Sequence, residues 1–190
     1  MQEELPMHPV KSLVEMESHL EMIKQSPSAE GTVEMIVSRP ITGGREVMDH
    51  CVLNLQAGLV GDNWQTRSDK HTADGSADKG RQLTLMNARA ISAITESEER
   101  WPEAGDQFFV DFDLSLKNLP HGTQLSFGQA VIEVTPLPHL GCRKFGKRFG
   151  KEANTFVNSA LGKMLNLRGI NARVIKPGVV SKGDVIRKLP

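Results

Sequence analysis

Gln124-Leu-Ser-Phe-Gly128-Gln-Ala-Val-Ile-Glu-Val134 carries the clearest strand pattern in the chain. It reads as two short strands turning at Gly128, with apolar and polar residues alternating on either side. Thr135 ends the second strand, and Pro136 and Pro138 then force an irregular, extended exit. The same pattern repeats along the chain on both sides. Val33, Met35 and Val37 alternate before a break at Pro40 and Gly43-Gly44, and Val47, Cys51, Leu53 and Leu55 share a parity. Arg81 to Leu85, Phe108 to Phe112, Arg168 to Ile175 and Val185-Ile186 complete the set, separated by glycine turns. Many short strands with a few helices between them predict a mainly β domain. A closed or nearly closed barrel is the economical way to remove its exposed edges.

Three segments are expected to be helical. Leu13, Met16, Leu20 and Ile23 recur at helical spacing within residues 9–25, with Pro9 in the first turn and Ser26-Pro27 as the stop. Asn87 suits an N-cap for a helix bearing Ala88, Ile91 and Ile94. Ala153, Phe156, Val157, Ala160, Leu161 and Met164 mark the strongest amphipathic helix, beginning just past a basic run. The chain is therefore divided into a helical extension over residues 1–30 and a barrel domain over residues 31–190.

The basic run is where chemistry is expected. Cys142 follows Gly141 and precedes Arg143, Lys144, Lys147, Arg148 and Lys151. Converging cations would favour thiolate over thiol, whereas Pro138, Leu140 and Phe145 closing over the sulfur would oppose it. The other cysteine, Cys51, lies on a strand parity that points inward and reads as core. Lys plus Arg and Asp plus Glu both number 23, so the cations after Cys142 are a local concentration on a neutral protein. That pattern suits a small anionic ligand and excludes a bulk nucleic-acid binder. Two distant cysteines indicate neither a disulfide framework nor a zinc knuckle. The first residues lack a secretory pattern and no long apolar run occurs, so a cytoplasmic setting without membrane contact is expected. Residues 65–80 offer almost nothing to bury and read as a long surface loop, expected to be mobile. His71, between Asp69 and Asp74, matches no standard metal-ligand spacing.

Gly58-Leu-Val-Gly-Asp62, Arg81-Gln-Leu-Thr-Leu85, Gly122 to Thr135, Cys142, Arg168-Gly-Ile170 and Pro177 to Asp184 occur in an order that resembles MOSC domains. These are named for the C-terminal part of molybdenum cofactor sulfurases. The resemblance spans about residues 31–189 and implies a β-barrel of the pyruvate-kinase-barrel type with a few peripheral α-helices. Gly105-Asp106-Gln107 stands where many relatives show Gly-Glu-Asn, and Asn63 follows the Gly-Asp turn in place of a charged residue. The resemblance implies that Cys142 either carries a persulfide or ligates molybdenum. It also implies that Lys79, Arg81, Arg143, Lys144, Lys147 and Arg168 are candidates to bind the molybdenum cofactor (molybdopterin) through its phosphate. Three functions follow. One is a sulfur carrier that receives its sulfur from a separate cysteine desulfurase, with no pyridoxal phosphate bound to this chain. Another is a molybdenum-dependent oxidoreductase that acts on N-hydroxylated compounds with a separate redox partner. The last is a non-catalytic module for a cofactor or another anion.

Overall fold

A computed structural model describes residues 10–69 and 72–190; His71 lies outside the described residues. The strands are β1 (Glu30–Ser38), β2 (Glu46–Met48), β3 (His50–Asn54), β4 (Gly58–Leu59), β5 (Leu83–Asn87) and β6 (Phe108–Asp111). They continue as β7 (Gln124–Phe127), β8 (Ala130–Val134), β9 (Ile170–Lys176), β10 (Gly178–Ser181) and β11 (Val185–Lys188). The order β11-β7-β8-β9-β5-β6-β1, with β1 also paired to β11, closes a seven-stranded barrel. Closure leaves no free edge around the ring, so every ladder is satisfied within it. A small sheet, β10-β3-β4, stands beside the barrel, and its Cys51 pairs with Val180.

Neighbouring strands of the ring are antiparallel except β5 and β6, which run parallel. A parallel pair needs a crossover. Here it is α3 (Ala88–Ile94) followed by a 3-10 helix at Glu98–Ala104. Asn87 caps α3 as its sequence implies, its side chain accepting from the Arg89 and Ala90 amides. The covered sector of the barrel is buried on both faces, which is why Phe108 and Phe109 are both wholly buried despite pointing oppositely. Phe108 packs inside, edge-on to Phe127 at 4.8 Å between ring centroids. Phe109 joins an outer cluster with Met86, Trp101, Phe145 and Phe149.

The outer layer differs from expectation in one respect that matters for function. Helix α4 runs Arg143–Asn158, so it begins at Arg143 and not at Ala153, and the basic run lies on the helix. The cause is a pair of aromatics. Phe145 and Phe149 sit four residues apart, extend the apolar stripe of Ala153 and Phe156 toward the N-terminus, and are both buried. Gly150, at φ 86°, kinks the helix and lets the two segments follow the barrel. A short helix, α5 (Ala160–Met164), follows. At the other end of the chain the helical stretch breaks at His19 into α1 (Leu13–Ser18) and α2 (Leu20–Lys24). A capping box between Ser12 and Glu15 starts α1. Met16 and Ile23 are buried in the same outer cluster, so these turns pack directly on the barrel's helical cover. Among the described residues no helix is long and apolar enough to cross a membrane.

Gly169 sets how closely β9 can approach β5. Its φ is 113°, and a Cβ there would lie 2.2 Å from the Leu85 carbonyl oxygen. Gly122 has a similar φ of 88° but open space around it. Gly122→Ala should therefore cost about 1 kcal/mol of left-handed strain, and Gly169→Ala roughly 3 kcal/mol or more, since backbone must move. Urea unfolding of the two variants should separate them in that order.

Candidate cofactor site

Two buried ion pairs frame the site. Arg39, immediately after β1, is 4% exposed and reaches the carboxylate of Asp62 in the glycine turn after β4. Its Nε donates to Oδ2 at 2.7 Å and its Nη2 to Oδ1 at 2.9 Å, a bidentate pair. Asp62 also accepts from the backbone amides of Arg39 and Trp64, and Arg39 Nη1 donates to the Gly105 carbonyl. That accounts for Gly58-Leu-Val-Gly-Asp62: the turn delivers a carboxylate with all its lone pairs used.

The second pair centres on Asp106, which is wholly buried before β6. Its Oδ2 accepts from Arg168 Nη1 and its Oδ1 from His139 Nε2 at 2.8 Å. Arg168 Nη2 donates to the Ala104 carbonyl, and the guanidinium lies over the Phe145 ring at 4.8 Å. Burial works against an ionised Asp106, but Arg168 and then His139 outweigh it and hold the carboxyl down at about 2. Burial, reinforced by Arg168, pushes His139 below its ordinary value despite the carboxylate. The arrangement is a neutral imidazole donating Nε2–H to an ionised aspartate. Asp106 therefore contributes stability above its unfolded value of 3.8 that is lost as pH falls through about 2.

Between these pairs opens a cavity of about 750 Å³. Among the described residues seven basic side chains line it: Arg39, Arg45, Arg67, Arg81, Lys144, Arg148 and Arg168. Arg39 and Arg168 are neutralised as described, and Arg81 meets Asp69 at 3.5 Å and Asp78 at 4.0 Å. Among the described residues Arg45, Arg67, Lys144 and Arg148 have no carboxylate at ion-pair distance; Arg45 and Arg148 donate to the Pro102 and Glu103 carbonyls. Burial pulls the Arg45 guanidinium below its ordinary value, and Arg148 and Arg39 add to this by repulsion. Arg67 is lowered likewise, by burial and then by Arg39.

Cys142 stands on the wall of this cavity as the N-cap of α4, exposed, with no capping bond from its side chain. Pro138, Leu140 and Phe145 do not close over it: Leu140 is 45% exposed, and Phe145 is buried beneath Arg168. Helical spacing sorts the basic run. Lys144 and Arg148, one turn apart, face the cavity, while Arg143, Lys147 and Lys151 face solvent. Of the candidate residues, Cys142, Arg81, Lys144 and Arg168 thus come together, and Lys79, Arg143 and Lys147 do not line the cavity. Sequence reasoning missed Arg39, Arg45, Arg67, His139 and Asp106 as a group, and named Arg148 only as a cation near Cys142. Gly105-Asp106 and His139, which follows Pro136 and Pro138 ahead of the cysteine, are the available signals. Cys51 is 2% exposed, and burial, with Asp184 adding to it, pushes its thiol up to about 12. Iodoacetamide at neutral pH should label the folded protein once, at Cys142, and reach Cys51 only after denaturation. Intact mass and peptide mapping would show this.

A family model, the MOSC domain, matches residues 79–187. No curated protein sequence gives a significant match. Among solved structures, the YuaD protein of Bacillus subtilis superposes with a TM-score of 0.60 at 21% identity, covering 83% of this chain and 94% of that one. YiiM from Escherichia coli gives 0.55 at 19% identity, covering 84% and 70%. These likenesses bear on the fold, a closed barrel with few helices. The family match takes in more than half of the chain, including β5 to β11, His139, Cys142 and Arg168. The chain belongs to the MOSC domain family, which is associated with the molybdenum cofactor and with sulfurase-related function.

Proposed function

We propose that the protein binds a molybdenum cofactor in the cationic cavity, with the Cys142 thiolate as the sulfur ligand that the chain supplies. The observation that carries this reading is the set of cations with no carboxylate partner among the described residues, Arg45, Arg67, Lys144 and Arg148, around a cavity that reaches Cys142. Part-buried like charges repel, and a bound dianion relieves that repulsion. Among the described residues no group of three or more His, Cys, Asp or Glu could hold a bare metal ion. Cys142 offers a single donor, so a metal here would need to bring its other ligands with it, as a pterin-dithiolene cofactor does. The donors present therefore fit the group. Lys144 and Arg148 would bind its phosphate, Arg45 and Arg67 would complete the cation wall, and Arg39 and Arg168, held by their carboxylates, keep that wall rigid. When bound, the group would supply two-electron redox or sulfur-exchange chemistry at its metal, beside Cys142.

A second reading rests on the exposure of Cys142 and its lack of a capping bond. Such a thiolate can attack the outer sulfur of a donor protein's persulfide, take up that sulfur and release the donor thiolate. The partner in this case is a cysteine desulfurase; in the cofactor reading it is a redox protein.

Protein purified from molybdate-supplied cells should contain molybdenum and a pterin. Each cation that binds the phosphate contributes about 1.5–3 kcal/mol, so Lys144→Ala/Arg148→Ala should lower both contents at least about tenfold. Cys142→Ala should lower molybdenum as strongly while Cys51→Ala leaves it unchanged. Metal-free protein whose Cys142 carries cyanide-labile sulfur would favour the second reading. Neither metal nor labile sulfur would sink both.

A further inference from the structure

Four consecutive carbonyls at the end of the 3-10 helix each accept from a different arginine. Pro102 takes Arg45 Nε at 3.0 Å, Glu103 takes Arg148 Nη1 at 2.6 Å, Ala104 takes Arg168 Nη2 at 2.8 Å and Gly105 takes Arg39 Nη1 at 2.9 Å. A helix end leaves carbonyls without intrahelical partners and carries a partial negative charge, so it draws cations. The four arginines come from the end of β1, the segment before β2, α4 and the segment before β9. Only the closed fold brings them to one turn.

A carbonyl orients a guanidinium without cancelling its charge. Arg39 and Arg168 are cancelled by Asp62 and Asp106, whereas Arg45 and Arg148 have carbonyls alone among the described residues. Their guanidinium groups converge on Gly105. Arg45 Nη2 lies 3.5 Å, and Arg148 Nη1 3.9 Å, from the point where a Cβ of that residue would stand. At φ 91° Gly105 caps the helix, and its α-carbon is left bare between the two cations. All three residues line the cationic cavity, and Arg45 Nη2 and Arg148 Nη2 donate to no atom among the described residues. After burial, Arg148 is the largest influence pulling Arg45 below its ordinary value. Backbone bonds therefore hold two like charges together with donors to spare.

We propose that the bare α-carbon of Gly105 floors an oxyanion seat walled by Arg45 and Arg148, for a tetrahedral dianion of the phosphate or sulfate class. One tetrahedral group has oxygens for both guanidinium groups at once, and two cations match its charge. The dianion is either the terminal phosphate of a bound cofactor, in which case Arg45 joins the phosphate ligands proposed above, or a free oxyanion. The seat itself needs neither molybdenum nor Cys142.

Sulfate, a dianion at every working pH, is the probe, with acetate as a planar monoanion beside it. On 15N-labelled full-length protein from cells without added molybdate, sulfate should give saturable amide shifts at residues 43–45, 102–106 and 144–149. It should bind at least about fivefold more tightly than acetate. Arg45→Gln and Arg148→Gln should each weaken sulfate at least about tenfold, the loss of a charged hydrogen bond. Arg143→Gln removes the same charge from the solvent face of α4 and should stay within about twofold of the wild type. Gly105→Ala meets only ordinary contacts, yet its methyl fills the seat and should weaken sulfate at least about tenfold. Gly122→Ala, equally left-handed but outside the cavity lining, should not. Pterin-loaded protein that no longer takes up sulfate identifies the cofactor's phosphate as the occupant; loaded protein that binds sulfate as before identifies a free oxyanion. The sulfate readout is independent of molybdenum content, so failure of the seat and failure of the cofactor reading are told apart. Absence of saturable shifts, shifts away from Gly105, or wild-type sulfate affinity in Gly105→Ala or in Arg45→Gln would each overturn the proposal.

Discussion

The carboxylate of Asp106 is the charge on which the rest of the site depends. It is wholly buried and joins three segments remote in sequence: the start of β6, Arg168 ahead of β9, and His139 in the loop before α4. A buried ion left without its partner costs roughly 3–5 kcal/mol, so none of the three can drift independently. Cys142 follows His139 closely, with Leu140 and Gly141 between them. The Gly141 amide is itself fixed to Asn158 Oδ1 at 3.0 Å, and Asn158 Nδ2 returns a bond to the Gly141 carbonyl. The thiol is therefore exposed but not loosely placed. It projects from a loop pinned to the barrel at one end and to the far end of α4 at the other.

The arginines of the cavity divide into two kinds by their partners. Arg39 and Arg168 are nearly inaccessible and saturate buried carboxylates; they are part of the framework. Among the described residues Arg45, Arg67, Lys144 and Arg148 meet only carbonyls, amides or open space, and their charge is left for something else. A chain with equal numbers of acidic and basic residues can hold such a concentration because its acids are spent elsewhere: on Asp62 and Asp106 inside, and on surface pairs such as Arg89 with Asp111. Net charge alone conceals this arrangement.

Local signals in the sequence proved reliable where local physics decides. Asn87 capping α3, Cys51 facing inward and the Gly128 hairpin all follow from neighbouring residues and are present as read. The barrel itself was legible through the resemblance of dispersed motifs. The start of helix α4 is illegible locally because five basic residues and two glycines obscure the stripe that Phe145 and Phe149 continue. The cavity wall was the least legible part. Arg39 and Arg45 follow the first strand, Arg67 lies in a polar loop, and His139 sits between Pro138 and Leu140. Nothing in their immediate surroundings marks them as neighbours, since only barrel closure brings them together.

That closure also constrains how the chain reaches its native state. The ring is sealed by β1, at residues 30–38, against β11, at residues 185–188. Until β11 arrives, β1 and β7 both present unpaired edges, and the barrel interior around Phe108 and Phe127 is open to water. Bringing such distant segments together carries a large loop-closure entropy before any contact rewards it, so folding should be slow for a chain of this size. During synthesis on the ribosome, the first strand must wait for nearly all of the remaining residues. The helices that cover Met35, Met86 and Phe109 meanwhile shield the sector that would otherwise be the most adhesive surface of the unfinished barrel.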